Sequence, residues 1–236
     1  MSEERGQAWP VFLLAAIAGY VDAFGYMTLA QVFTAHMSGN AAALGALIAR
    51  HQWPLVLRHG LAIPAFTAGV ATGVYSEQAA RRARLRSPVL PALVAEALCI
   101  LAFLLLDLGP APAAGSGRYF ALLCLLAGSM GLQSAALQRA EGSTIRTTFV
   151  TGMLMSMAQE CALGLDEAAQ GVSGALRRRG VSAVFFGAIF CLFMAGAVCG
   201  GLGRVHWKAE ALAVPLAALA AAALIEWRRA GRPRRP

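Results

Sequence analysis

The sequence predicts an all-α polytopic membrane protein. It reads as a single membrane domain over residues 1–236, with six transmembrane helices plus two short re-entrant or broken helices in an inverted internal repeat. Three observations carry this: the scarcity of charge, the length of the apolar runs and the placement of the arginines. Of 236 residues, 58% are apolar and 14% charged, against roughly 45–50% and about 25% in an ordinary soluble domain. Mean hydropathy is +0.61. Uncharged runs at 120–138 and 180–203 approach or exceed the ~20 residues a helix needs to cross a bilayer. Disorder, a disulfide-stapled secreted domain and a nucleic-acid binder each require more polar or paired residues, and are excluded.

Charges and Pro/Gly clusters divide the chain into eight apolar segments, at 9–31, 38–50, 56–76, 88–107, 118–138, 148–165, 180–203 and 209–227. The first follows a leader with two acids and one arginine and runs on without a small-x-small stop, so it reads as an uncleaved helix rather than a signal peptide. The second and sixth are the shortest, and each follows a Gly, Ser and Thr-rich stretch that a lipid-facing helix would not carry. The net charge of +8 comes from 20 basic residues, all arginine except Lys208, set against 12 acids. Strong clusters stand at Arg81, Arg82, Arg84 and Arg86, at Arg177, Arg178 and Arg179, and at Arg228, Arg229, Arg232, Arg234 and Arg235. Basic clusters stay cytoplasmic. Eight crossings would put eight of these arginines outside; six crossings, with 38–50 and 148–165 dipping in and returning, keep all three clusters and both termini inside.

The chain also resembles itself. Residues 34–39 and 147–152 share the pattern T-x-x-x-[ST]-G; Gly60, Phe66, Ala68, Gly69 and Gly73 match Gly187, Phe193, Ala195, Gly196 and Gly200; Gly19, Asp22 and Ala23 stand where Gly131, Ser134 and Ala135 do. The first repeat runs over 9–108 and the second over 118–229, with an insertion around 165–179. Each half contributes three crossings, an odd number, so the second copy is inverted. Inverted repeats with interrupted helices are typical of secondary transporters, whose sites lie where the broken helices meet. Gly69, Gly73, Gly196 and Gly200 form two G-x-x-x-G pairs expected to serve helix packing.

The candidate chemistry is sparse. Asp22 stands inside the first apolar segment without a nearby counter-charge. An acid at that depth is costly, so it either bonds structurally to a neighbouring broken helix or serves as a proton or coupling-ion site. His36 follows beside Thr34, Ser38 and Asn40; it either relays protons with Asp22 or satisfies loose carbonyls. Ser38 reads as the N-cap of the second segment and Thr151 takes the same place in the sixth, so that two helix N-termini meet and favour an anionic or dipolar solute. Gln133, Arg146, Thr147 and Thr148 complete the candidate substrate or ion site; Arg146 pairs with Asp22, binds a carboxylate, or is a topology charge. Glu96 and Glu160 are lone acids ranked behind Asp22. The five cysteines and four histidines show no ligand spacing, and neither metal nor cofactor is expected.

These residues carry a resemblance. The runs GYVDAFGYMTLAQVFTAHMSGN and GLQSAALQRAEGSTIRTTFVTGML resemble the YoaK-like family of bacterial integral membrane proteins, domain of unknown function 1275. The fitting positions are Gly19, Asp22, Ala23, Tyr26, His36, Ser38, Gly39, Asn40, Gly131, Gln133, Ser134, Ala135, Thr148, Thr151 and Gly152. The resemblance implies a six-helix inner-membrane protein and brings no established substrate.

The expected function is a small-solute secondary transporter or channel-like permease with a midplane site, proton-coupled through Asp22. The alternatives are a membrane-embedded enzyme and a non-transporting partner or sensor subunit. An enzyme is not expected: Asp107, the other aspartate near a facing position, ends its segment, and no phosphotransferase, serine-elbow or zinc-pair signature occurs. The expected partners are membrane lipid and a small polar or anionic solute, with no nucleic acid. The Gly-rich third and seventh segments serve internal packing or a homodimer equally well.

Overall fold

Leu- and Ala-rich runs make helices here because little else competes for their backbone. The computed structural model describes residues 8–110, 112–140 and 150–230. In chain order these form α1 (Ala8–Thr28), α2 (Met37–Ala49), α3 (Trp53–Arg82), α4 (Leu90–Asp107), α5 (Gly117–Ala140), α6 (Val150–Ala169), α7 (Ala175–Trp207), a 3-10 turn (Lys208–Leu212) and α8 (Ala213–Ala230), with no strand among the described residues. Prolines at the first turns of α3 and α4 fit positions whose N–H groups lack helical acceptors anyway. After α2 and α3, His51 (φ 56) and Arg84 (φ 53) take the left-handed conformation that ends a helix.

Helices α3 and α7 are longer than their apolar runs, with 30 and 33 residues. Charge ends an apolar stretch without ending the helix. Arg81 and Arg82 sit in the last turn of α3, where cations complement the carbonyl end, and Arg81 bonds Glu77 at 2.7 Å. At the start of α7, Arg179 bridges Glu160 at 3.3 Å and Glu167 at 2.5 Å, both on α6. Glu160, which looks isolated in sequence, therefore has a partner. Helix α6 is 20 residues long, but it carries Glu160, Asp166 and Glu167 and is not one of the five candidate spans among the described residues. Those spans are α1, α3, α4, α5 and a 55-residue stretch that holds α7, the 3-10 turn and α8.

Two helices form the centre. The spans of α1 and α5 are 61% and 72% buried, against 17% for α3 and 33% for α4. Helix α1 lies along α7 in parallel, since Gly196 backs onto the Ala16 carbonyl and Gly200 onto that of Tyr20. Helix α5 lies along α3 in the same way, with Gly69 against the Gly128 carbonyl and Gly73 against Leu132 and Ala135. A Cβ at Gly69, Gly196 or Gly200 would stand 2.0–2.1 Å from these oxygens, so only glycine allows the approach. Phe24 of α1 meets Phe103 of α4 edge-on, with centroids 6.0 Å apart. Arg204 of α7 bonds Asp107 of α4 at 3.2 Å and lies over the Phe24 ring. Val181, Val184, Leu98 and Leu105 face outward, as lipid contact requires.

Candidate functional site

Three residues one turn apart prepare the site on α1. Gly19 lets the α7 backbone approach, since a Cβ there would lie 2.0 Å from the Phe193 carbonyl; Gly25 admits the Thr34 methyl, which would be 2.6 Å from a Cβ. Asp22 stands between them, 4% exposed. The chain leaves α1 through Ala30 (φ 52) and Gln31 (φ 66), two successive left-handed residues that side chains rarely adopt. This bend returns residues 34–36 to the face of α1 that carries the acid.

The returning linker forms a cage of donors around Asp22. Its Oδ1 accepts the backbone N–H groups of Thr34 and Ala35, both at 2.7 Å, and the Thr34 hydroxyl at 3.1 Å. Its Oδ2 takes the His36 Nδ1–H at 2.5 Å. The hydrogen bond to Asp22 raises the His36 pKa above the ordinary imidazole value; burial opposes it and the carboxylate charge adds to it. His36 also meets the Phe193 ring edge-on at 5.4 Å. Asp22 thus serves as the anchor that fixes the break between α1 and α2, and a titratable ring closes the anchor on its accessible side.

This latch faces a cavity of about 520 Å³, with Tyr26, Phe33 and Phe193 as aromatic walls and Ser38 and Gly39 at the entry to α2. Ser38 is not the N-cap expected from sequence. Helix α2 starts at Met37 with His36 in the cap position, because the His36 carbonyl already accepts Gly39 N–H and Asn40 N–H; Ser38 falls in the first turn. Asn40 lies apart from the cavity, fully buried. Its Oδ1 accepts Phe33 N–H at 3.0 Å, and its Nδ2 donates to the Phe33 carbonyl at 2.7 Å.

Of the second-half candidates, the two described ones, Gln133 and Thr151, do not join this group. Gln133 is fully buried in α5, and its amide has no hydrogen-bond partner among the described residues. Thr151 lies exposed in the first turn of α6. Arg146, Thr147 and Thr148 are outside the described residues. Among the described residues, the hydrogen-bond partners of Asp22 are Thr34, Ala35 and His36 of its own linker. Glu96 is fully buried in α4, with neither oxygen partnered among the described residues. No group of three His, Cys, Asp or Glu fit to hold a metal occurs among the described residues.

Sequence reasoning missed the aromatic walls and His59, which donates from Nδ1 to Asn40 Oδ1 at 3.3 Å. Aromatic residues spaced along an apolar run give no sign of which face they occupy. The pairing of His59 with Asn40 depends on how α2 folds back on α3, which no local pattern encodes.

A family model described as "Protein of unknown function (DUF1275)" matches residues 11–225. The chain is 32% identical over 148 residues to UPF0700 transmembrane protein YoaK of Bacillus subtilis (strain 168), a match covering 63% of this chain and 64% of that protein. No solved structure matches.

Proposed function

The chain belongs to the DUF1275 family, and on that premise we propose that it is a small-solute secondary transporter or channel-like permease of the inner membrane. Its solute enters beside the Asp22 latch, and His36 carries the proton that couples to it. The observation that carries this reading is the buried carboxylate holding a broken helix connection at the wall of a cavity of about 520 Å³. Intramembrane acids beside interrupted helices are the usual setting of ion-coupled binding.

The glycine contacts support an inverted repeat. Gly19 lies against the Phe193 carbonyl as Gly131 lies against that of Phe66. Gly196 meets Ala16 as Gly69 meets Gly128, and Gly200 meets Tyr20 as Gly73 meets Leu132. One constant shift relates α1 to α5, and another relates α3 to α7. Each half would then lend one helix to the other, giving two equivalent pairs that can rock as rigid bodies. In this reading α1, α3, α4, α5, α7 and α8 cross, α2 and α6 dip from opposite sides, and both termini are cytoplasmic.

The test is solute flux in proteoliposomes, screened with small organic anions and amino acids. Uptake of at least one solute above protein-free vesicles supports the reading. Equal permeability for every solute refutes it in favour of a non-transporting subunit.

A further inference from the structure

A second cavity, of about 570 Å³, lies on the other side of Tyr26 and Phe33. Its apolar wall is Ala43, Ala46, Leu47 and Leu55 of α2 and α3, and its polar groups are Gln31 and His59. The ring of His59 has a fixed tautomer. Asn40 is oriented by its two bonds to Phe33, which makes its Oδ1 an acceptor; His59 Nδ1 must therefore donate to it, leaving Nε2 of the neutral ring as an acceptor.

A cation adjoins this histidine in sequence, just outside the residues that line the cavity. Arg58 precedes His59, and its guanidinium lies 5.4 Å from the centroid of the Tyr119 ring. Tyr119 donates its hydroxyl proton to the Leu29 carbonyl at 2.8 Å, and Leu29 directly precedes Ala30 and Gln31, which line the cavity. Among the described residues, the buried Nε of Arg58 has no acceptor. Leaving an arginine N–H buried without a partner is costly.

We propose that this cavity binds a small organic carboxylate bearing a hydroxyl or amino donor beside the carboxylate. Arg58 takes the anionic oxygens, His59 Nε2 takes the donor, and the carbon chain lies on the alanines and leucines. Guanidinium is suited to carboxylate geometry, and the fixed histidine adds selectivity for the donor. An anionic lipid headgroup offers the same pair of groups. A free solute is favoured because His59 is 7% exposed and bonded to the fully buried Asn40, away from the surface where a lipid headgroup sits. The site stands whether or not the Asp22 latch couples protons.

The test uses the full chain in phosphatidylcholine nanodiscs, with 2-hydroxyhexanoate as probe and thermal stability as readout. Hexanoate lacks the donor and 2-hydroxyhexanamide lacks the charge. The expected result is a saturable rise in Tm with 2-hydroxyhexanoate, at least tenfold weaker apparent affinity for both analogues, loss in Arg58→Gln and retention in Arg58→Lys, which also guards against a folding defect. No rise in the unmodified protein, or an equal rise in Arg58→Gln, overturns the proposal. A rise produced only by adding phosphatidylglycerol, and dependent on Arg58, reassigns the cavity to a lipid headgroup and also overturns it. Binding is read without flux, so a failure of transport leaves this outcome separate.

Discussion

Asparagine in place of Asp22 keeps an oxygen for the linker and removes the charge, so it isolates what the carboxylate contributes. Two backbone N–H bonds of 2.7 Å converge on Oδ1. Hydrogen bonds to a charged group are worth about 1.5–3 kcal/mol and neutral ones about 0.5–1.5, so the change costs about 1 kcal/mol per bond and about 2 kcal/mol for the pair. At tenfold per 1.4 kcal/mol, local opening of the linker becomes roughly 30-fold more frequent. Asp22→Ala removes the acceptor altogether and leaves both N–H groups buried, costing about 2–6 kcal/mol in total. The assay is amide hydrogen exchange of the peptide covering residues 30–40 in nanodiscs at fixed pH. Exchange should rise in the order unmodified protein, Asn, Ala, with peptides of α4 and α8 unchanged. Equal linker exchange in all three would show that the cage does not hold the break.

Other tests follow from the same contacts. Because Asp22 raises the His36 pKa, their pair stabilises the fold fully below the ordinary imidazole value of about 6.5 and loses that contribution as pH climbs through the raised value; linker exchange, corrected for its intrinsic rate, should increase from pH 6 to pH 9 and lose this extra dependence in His36→Gln. Gly196→Ala forces a Cβ to within 2.0 Å of the Ala16 carbonyl, whereas nothing lies within 4 Å of a Cβ at Gly45. The first should cost about 3 kcal/mol or more, as overpacking does, and Gly45→Ala should be neutral or stabilise by about 0.5–1 kcal/mol; thermal melts compare them. Arg179→Ala releases Glu160 and leaves Glu167 with Arg178 alone, so proteolysis at residues 170–174 should quicken, with the difference from the unmodified protein shrinking in high salt.

The fold class was legible because a bilayer leaves a chain few ways to satisfy its backbone. The apolar runs give the helices but not their ends: α3 continues to Arg82 and α7 begins at Ala175, since arginine suits a helix terminus as well as it suits water. Asp22 and His36 were legible as a pair because polar residues inside apolar segments are expensive. Their geometry was not. The two left-handed residues at 30–31 carry no glycine to announce the bend, and Ser38 looked like a cap because nothing in its neighbourhood shows that His36 occupies that position. Nothing in the local sequence singles out Arg58; only the folding of α5 brings Tyr119 to its guanidinium.

The most direct measurement of the central claim is proton movement in liposomes loaded with a pH-sensitive dye, comparing the unmodified chain with Asp22→Asn on addition of the small organic anions and amino acids of the flux screen. Solute-dependent proton movement is expected with the unmodified chain, reduced at least tenfold in the Asn variant. Proton movement that is absent from both, or equal in both while solute flux persists, would contradict it.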